Sequence, residues 1–308
     1  MNTQTNIAAY IALMVVCIVW GTTYFSLRIG VETFPPFLFS GIRQVLASVI
    51  LLIGLKMFGR LKFDKRTFVN QLILGVLLIA LGNGVIGWSE RFISSGLAAL
   101  IVSILPVYII LINYIAGVEK RKPNKHILLG LMLGCSGILL IFRDNLKDFI
   151  NPDYLLGTFV AFGACLSWAI GSVYSKRIVT AGNVLSNAAL QMLLGGIVLF
   201  IMSFFMDDYS EIKNVTPGSL WALVYLTIIG SAFSYPCYLY ALQKLPIGVV
   251  SLYAYVNPLI ALLLGYFVLN EKITLITWSA LISVLCGIYC INVGYQKMNL
   301  NENSKNSK

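Results

Sequence analysis

The 308-residue chain is 58% hydrophobic and only 11% charged, with a mean hydropathy of +0.85, whereas soluble domains carry roughly a quarter charged residues. A single soluble core cannot absorb that much apolar side chain, and the long apolar runs lack the alternation of barrel strands. The net charge of +10 raises nucleic acid or anionic lipid as partners until the basic residues are placed along the chain.

The first apolar run, 7 to 29, is too long for a signal-peptide core and has no basic segment before it, so it is expected to remain as helix 1. Further runs follow at about 36 to 58, 68 to 90, 96 to 118, 124 to 142, 154 to 175, 184 to 206, 218 to 242, 247 to 269 and 273 to 295. About 20 apolar residues cross the hydrocarbon core as a helix, and a backbone without water partners must satisfy its own hydrogen bonds. The expected fold is an all-α integral membrane protein of ten transmembrane helices. Residues 296–308, rich in Asn, Lys and Ser, are expected to form a disordered cytoplasmic tail.

Basic residues gather in alternate loops. With the N-terminus in the cytoplasm, fifteen of them fall on the cytoplasmic side, among them Lys56, Arg60, Lys120, Arg121, Lys176 and Lys244. Six fall opposite: Arg28, Arg91, Arg143, Lys147, Lys213 and Lys272. The positive-inside rule then places both termini in the cytoplasm. The basic balance reads as topology, so the partners expected are a small-molecule substrate and membrane lipid, with no nucleic acid and a monomer or weak dimer.

The six cysteines all lie inside apolar runs, where they serve as small packing residues rather than a disulfide framework. Cys286 and Cys290 stand one helical turn apart but have no further His, Cys or carboxylate beside them, so neither a metal nor a cofactor is expected.

The chain repeats itself. Gly96, Pro106, Glu119 and Lys120 recur 152 residues later as Gly248, Pro258, Glu271 and Lys272, while Trp20 and Arg28 match Trp168 and Lys176 at an offset of 148. Two five-helix repeats are expected, at 7–143 and 154–295. Five is odd, so the second copy enters the membrane inverted, and inverted repeats open one midplane site to each side in turn.

Trp20-Gly21-Thr22-Thr23-Tyr24, Ser94 to Leu100 leading into Pro106, Ala254-Tyr255-Val256-Asn257-Pro258, and Glu119 and Glu271 closing their helices together resemble the EamA branch of the drug/metabolite transporter superfamily. The resemblance covers roughly 7–295. Within that branch, Gly82-Asn83-Gly84 through Ser89-Glu90 and Ser95-Gly96 look most like YedA-like bacterial inner-membrane members. The resemblance implies ten helices with both termini inside, a cavity lined by helices 1, 3, 4, 6, 8 and 9, and export of small metabolites among which amino acids recur.

Candidate site residues follow from depth and symmetry. Trp20 and Trp168 lie well inside their helices, away from the interfacial belts, and an indole at depth wants a partner for its N–H. With Tyr24, Trp88, Tyr108, Tyr235 and Tyr255 they are read as an aromatic cavity wall suited to apolar or aromatic solutes and organic cations, core filling being the rival reading. Gly82 to Gly87 fits a dinucleotide-fold glycine pattern, but it stands inside a membrane helix, where small residues serve packing and Asn83 can face a cavity. Pro106 and Pro258 are read as matched mid-helix interruptions, and Asn257, opposite Leu105 in the first repeat, as a cavity residue.

Ionisable groups within apolar runs are functional candidates by default. Glu90 stands where the second repeat has Leu242, and is read either as a binder of substrate amino groups or of a proton, or as a rim residue paired with Arg91. Arg28 with Glu271 and Lys176 with Glu119 are expected to form one charge latch on each membrane face. Arg43 is expected to snorkel outward from a peripheral helix 2. Multidrug efflux and lipid or nucleotide-sugar translocation are the nearest alternatives. An intramembrane enzyme is not expected: the only histidine, His126, is in a loop, and no intramembrane Ser/His or aspartate pair is present.

Overall fold

A computed structural model describes residues 3–59, 65–93, 95–118, 122–141, 143, 152–178, 183–260 and 275–306. The described residues are helical, with no strand among them. Helices α1 (Thr3–Thr33) and α2 (Pro36–Met57) meet at a turn where Pro36 fills the first helical position, which needs no N–H donor. The Asp207 carboxylate accepts from the N–H groups of Phe37 (3.4 Å) and Leu38 (2.8 Å), so a residue just past another helix caps α2.

The third apolar segment is not a uniform helix. It starts as α3 (Lys65–Leu74), widens into a π-helical stretch at Gly75–Gly84 and finishes as α4 (Val85–Ser89). Next come α5 (Ser95–Val102), α6 (Leu105–Ile115) and α7 (Lys125–Ile141). The second half begins with α8 (Pro152–Arg177) and α9 (Val184–Met206), the latter capped by the Asn183 side chain. It continues through α10 (Pro217–Tyr225), a second π-helical stretch at Leu226–Phe233, and α11 (Ser234–Lys244). Two short helices, α12 (Ile247–Val250) and α13 (253–260), precede α14 (Leu275–Asn306). π-Helix is rare, well under about 1% of residues, and recurs at functional sites. Here it appears in the third apolar segment of each half.

By length and composition, eight described helical segments can cross a membrane, and two shorter apolar ones lie at Lys125–Leu140 and Ile247–Ile260. Helix α7 runs along α14, and α2 along α9. The first of these pairs packs backbone on backbone, because a Cβ on Gly287 would stand 2.7 Å from both Gly130 O and Gly134 N.

Two expectations need revision here. The tail expected to be disordered from Gln296 instead continues α14 as helix to Asn306, since extending an existing helix avoids the cost of a new nucleus. Pro106 is not mid-helix; it occupies the first turn of α6, after a break at Ser103–Ile104. Pro258 lies deeper within α13, after a break at Ser251–Leu252, so the two prolines match in sequence but not in distance from their breaks. The ring at Pro258 leaves Ala254 O without its usual helical donor, and Ser103 Oγ from the first half donates to that carbonyl at 3.2 Å.

Of the expected charge latches, Glu119 and Glu271 lie outside the described residues. The two cations contact backbone carbonyls at helix ends. The Arg28 guanidinium donates to Glu90 O, the carbonyl closing α4. Lys176 Nζ donates to the carbonyls of Leu242 (2.7 Å), Gln243 (3.1 Å) and Leu245 (2.8 Å) at the end of α11. Helix C-termini expose carbonyls and carry the negative end of the macrodipole, so each cation is a C-cap supplied by another helix. Glu90 and Leu242 are 152 residues apart, the same offset that relates Pro106 to Pro258, so the two caps occupy equivalent places.

Candidate functional site

Both halves contribute to one aromatic-walled cavity. Its empty volume is about 580 Å³, counting the space open at its mouth. From the first half it receives Trp20 and Tyr24 of α1, Arg43 of α2, Asn83 of the first π stretch and Leu105 of α6; from the second, Cys165 and Trp168 of α8 and Tyr253 of α13. A smaller cavity of about 220 Å³ shares Trp20, Arg43, Asn83 and Trp168 and adds Gln44, Ser231 and Tyr235.

The wall is rigid because its rings hold one another. Trp20 packs edge-on to Trp168 at 5.5 Å and to Tyr253 at 5.0 Å, and its centroid lies 5.2 Å from that of Tyr238. The Trp20 indole finds its partners on the second π stretch and the residue after it, donating to Gly230 O (3.2 Å) and Ser234 Oγ (2.8 Å). Tyr238 exchanges a hydrogen bond with Ser172 at 2.6 Å, and Tyr235 donates to Gln191 Oε1 at 2.6 Å. In each case a hydroxyl or indole is satisfied by a neighbouring helix, which restrains the rotamer of its ring.

Of the residues proposed from sequence, Trp20, Tyr24, Asn83 and Trp168 line the larger cavity and Tyr235 the smaller. Others are placed elsewhere. Trp88 stacks on Phe37 (6.1 Å) and packs on Phe92. Tyr108 is partly buried against the main apolar core. Tyr255 is fully buried, with its hydroxyl 3.4 Å from Cys135 Sγ. With its amide oriented to donate, Asn257 bridges Cys17 O (3.1 Å) and Tyr253 O (2.9 Å), tying α13 to α1. Glu90 is buried, borders neither cavity, and has no hydrogen-bond partner among the described residues for either carboxylate oxygen. Its supposed partner Arg91 pairs with Glu211 instead.

The largest departure from expectation is Arg43. It does not snorkel. It is 3% exposed, lines both cavities, and donates from Nε to Ser231 Oγ at 2.8 Å and from Nη1 to Asn83 Oδ1 at 3.4 Å. Asn83 Oδ1 also accepts from Gln44 Nε2 at 3.4 Å. Helix α2 is held inward by α9 on one side and the second π stretch on another, leaving the guanidinium no route to an interface. Arg43 was within reach of the rule that singled out Glu90, being an ionisable residue inside an apolar run. Ser231 and Tyr253 carried no comparable signal.

No group of His, Cys, Asp or Glu suited to a metal occurs among the described residues. The sequence profile of the EamA-like transporter family matches the chain twice, over residues 7–143 and 155–293. The chain belongs to the EamA-like transporter family. That family lies within the drug/metabolite transporter superfamily, and the chain is a multi-pass membrane protein. Among EamA relatives, the uncharacterized inner membrane transporter YedA of Escherichia coli (strain K12) is 32% identical over 285 residues, 92% of this chain and 90% of its own length. The uncharacterized transporter YoaV of Bacillus subtilis (strain 168) is 25% identical over 91% of this chain and 94% of its own. One solved crystal structure superposes with a TM-score of 0.76 at 15% identity, covering 97% of this chain and 99% of its own, which bears on the fold alone.

Proposed function

We propose that this EamA-family protein moves small organic solutes, in the export direction, across the bacterial inner membrane by alternating access, with the aromatic cavity as its binding site. In this reading the chain crosses the membrane ten times as two inverted five-helix repeats with both termini cytoplasmic. It uses no cofactor and catalyses no covalent reaction. The observation that carries it is the shared ownership of the cavity, since Trp20 and Asn83 come from one half and Trp168 and Tyr253 from the other. A site split between two similar halves changes its access when the halves rock against each other. The two π-helical stretches support this, because Asn83 and Ser231 both stand on them and wide turns rearrange at lower cost than regular helix.

Glu90 is assigned to the support of this site rather than to its wall. It sits at the α4 terminus that Arg28 caps, so movement of Arg28 would change the surroundings of its carboxyl.

The test is mass-spectrometric profiling of medium and cytoplasm from cells overproducing the wild type and Trp168→Ala, with an empty vector as reference. A solute enriched outside by the wild type and lost in the variant is the expected result. Equal solute distributions in wild-type and empty-vector cells across several growth media would overturn the transporter reading.

A further inference from the structure

Among the described residues, the cavity holds a fixed positive charge and no fixed negative one. Arg43 is buried, yet among the described residues no Asp or Glu lines either cavity, and the one ion pair is Arg91–Glu211, elsewhere. Its observed acceptors, Ser231 Oγ and Asn83 Oδ1, are neutral. A buried guanidinium with only neutral partners is costly, and a protein that keeps one commonly completes it with an anionic ligand.

The geometry shows how. Ser231 holds Nε and Asn83 reaches Nη1, orienting the guanidinium plane while Nη2 has no acceptor among the described residues. That nitrogen lies beside Gly230, where an added Cβ would stand 3.3 Å from it. A guanidinium presents paired N–H groups that match the two oxygens of a carboxylate. Around it stand the faces and edges of Trp20, Trp168 and Tyr253, which accept a flat apolar body.

Resting on the transporter reading above, we infer that the cavity is built for organic monoanions, carboxylates with a flat, uncharged apolar body, and that Arg43 binds the carboxylate. Of the apolar or aromatic solutes and organic cations that an aromatic wall suits, this keeps the first and excludes the cations. One guanidinium balances one negative charge, so a phosphomonoester dianion would leave a net charge unpaired in the aromatic space. An ammonium group on the same body finds no carboxylate there and meets repulsion from Arg43.

The experiment is equilibrium binding to the purified full-length protein in detergent, followed by uptake in proteoliposomes. The probes are phenylacetate, benzoate and indole-3-acetate, with methyl phenylacetate, phenethylamine and L-phenylalanine as comparators. At least tenfold tighter binding of a carboxylate probe than of its ester, amine and zwitterionic counterparts is expected in the wild type. Arg43→Gln should remove that preference, and Arg43→Lys should restore part of it. Comparing acid with ester on unaltered protein keeps the test decisive if Arg43→Gln fails to fold. Binding of ester, amine or phenylalanine as tight as the acid, or no binding of any carboxylate, would overturn the inference. Carboxylate binding without flux would leave the site assignment standing and count against the transporter reading. Flux that prefers the amine would do the reverse.

Discussion

The two halves solve one problem with different chemistry. Each ends its π-containing segment with exposed carbonyls, and each sends a cation from its first helix to cover them: Arg28 to Glu90 O in the first half, Lys176 to three carbonyls at Leu242, Gln243 and Leu245 in the second. The ammonium is a compact point with three donors and satisfies three oxygens, whereas the planar guanidinium reaches one here. The first half also places a carboxyl at the capped terminus, where the second has an apolar side chain. Shared backbone geometry constrains where a cation must stand, and leaves each half free in what else surrounds it.

The largest expected effect tests that inequality. Lys176→Met strands three carbonyls, each worth about 1–3 kcal/mol when a buried acceptor loses its donor, discounted for the ones water reaches. Arg28→Met strands one. Lys176→Met should therefore destabilise the detergent-purified protein more than Arg28→Met, by a margin on the order of 2 kcal/mol, read as the lower of the two melting temperatures. Equal losses would mean that the caps act through charge near the helix terminus rather than through hydrogen-bond number.

A smaller effect is expected from making the halves alike. Glu90→Leu installs the second half's residue in the first, removing a buried carboxyl whose oxygens have no hydrogen-bond partner. Replacing such a group by an apolar one of similar size is neutral or stabilising by about 1–2 kcal/mol. A melting temperature unchanged or raised supports this placement of Glu90; a marked fall would show that the carboxyl ion-pairs with Arg28 in the folded protein.

How much of this could be read in the sequence depends on which signal each feature leaves. The apolar runs, the two-fold self-similarity and the family motifs were visible because length and spacing encode them. The inward aim of Arg43 was not, since a membrane helix such as α2 is apolar on every side and its composition does not say which face meets protein. The same gap placed Trp88, Tyr108 and Tyr255 in the cavity, although each packs against other helices. The π-helical stretches leave no mark either: Gly75 to Gly84 and Leu226 to Phe233 share no residue pattern that a regular helix would refuse. Arg28 and Lys176 were found by symmetry, but sequence comparison is blind to the backbone carbonyls they contact.

The finest contrast lies at the two broken helices. Ser103 and Ser251 each stand at the break of their helix, although the 152-residue offset of Pro106 and Pro258 pairs Ser103 with Tyr255. Among the described residues, Ser251 Oγ bonds only backward, to Gly248 O at 2.8 Å, within its own turn. Ser103 Oγ bonds backward to Ala99 O at 2.8 Å and also to Ala254 O across the halves, the carbonyl that Pro258 leaves open. Ser103→Ala should cost about 1 kcal/mol, the net worth of one buried hydrogen bond, and Ser251→Ala a few tenths. The difference is read as paired melting curves in one detergent. In the double variant Ser103→Ala/Pro258→Ala the freed carbonyl regains a backbone donor, so the penalty of losing Ser103 should shrink. An unchanged penalty would show that Ser103 acts only within its own turn, and the contact between the two breaks would then carry no energy.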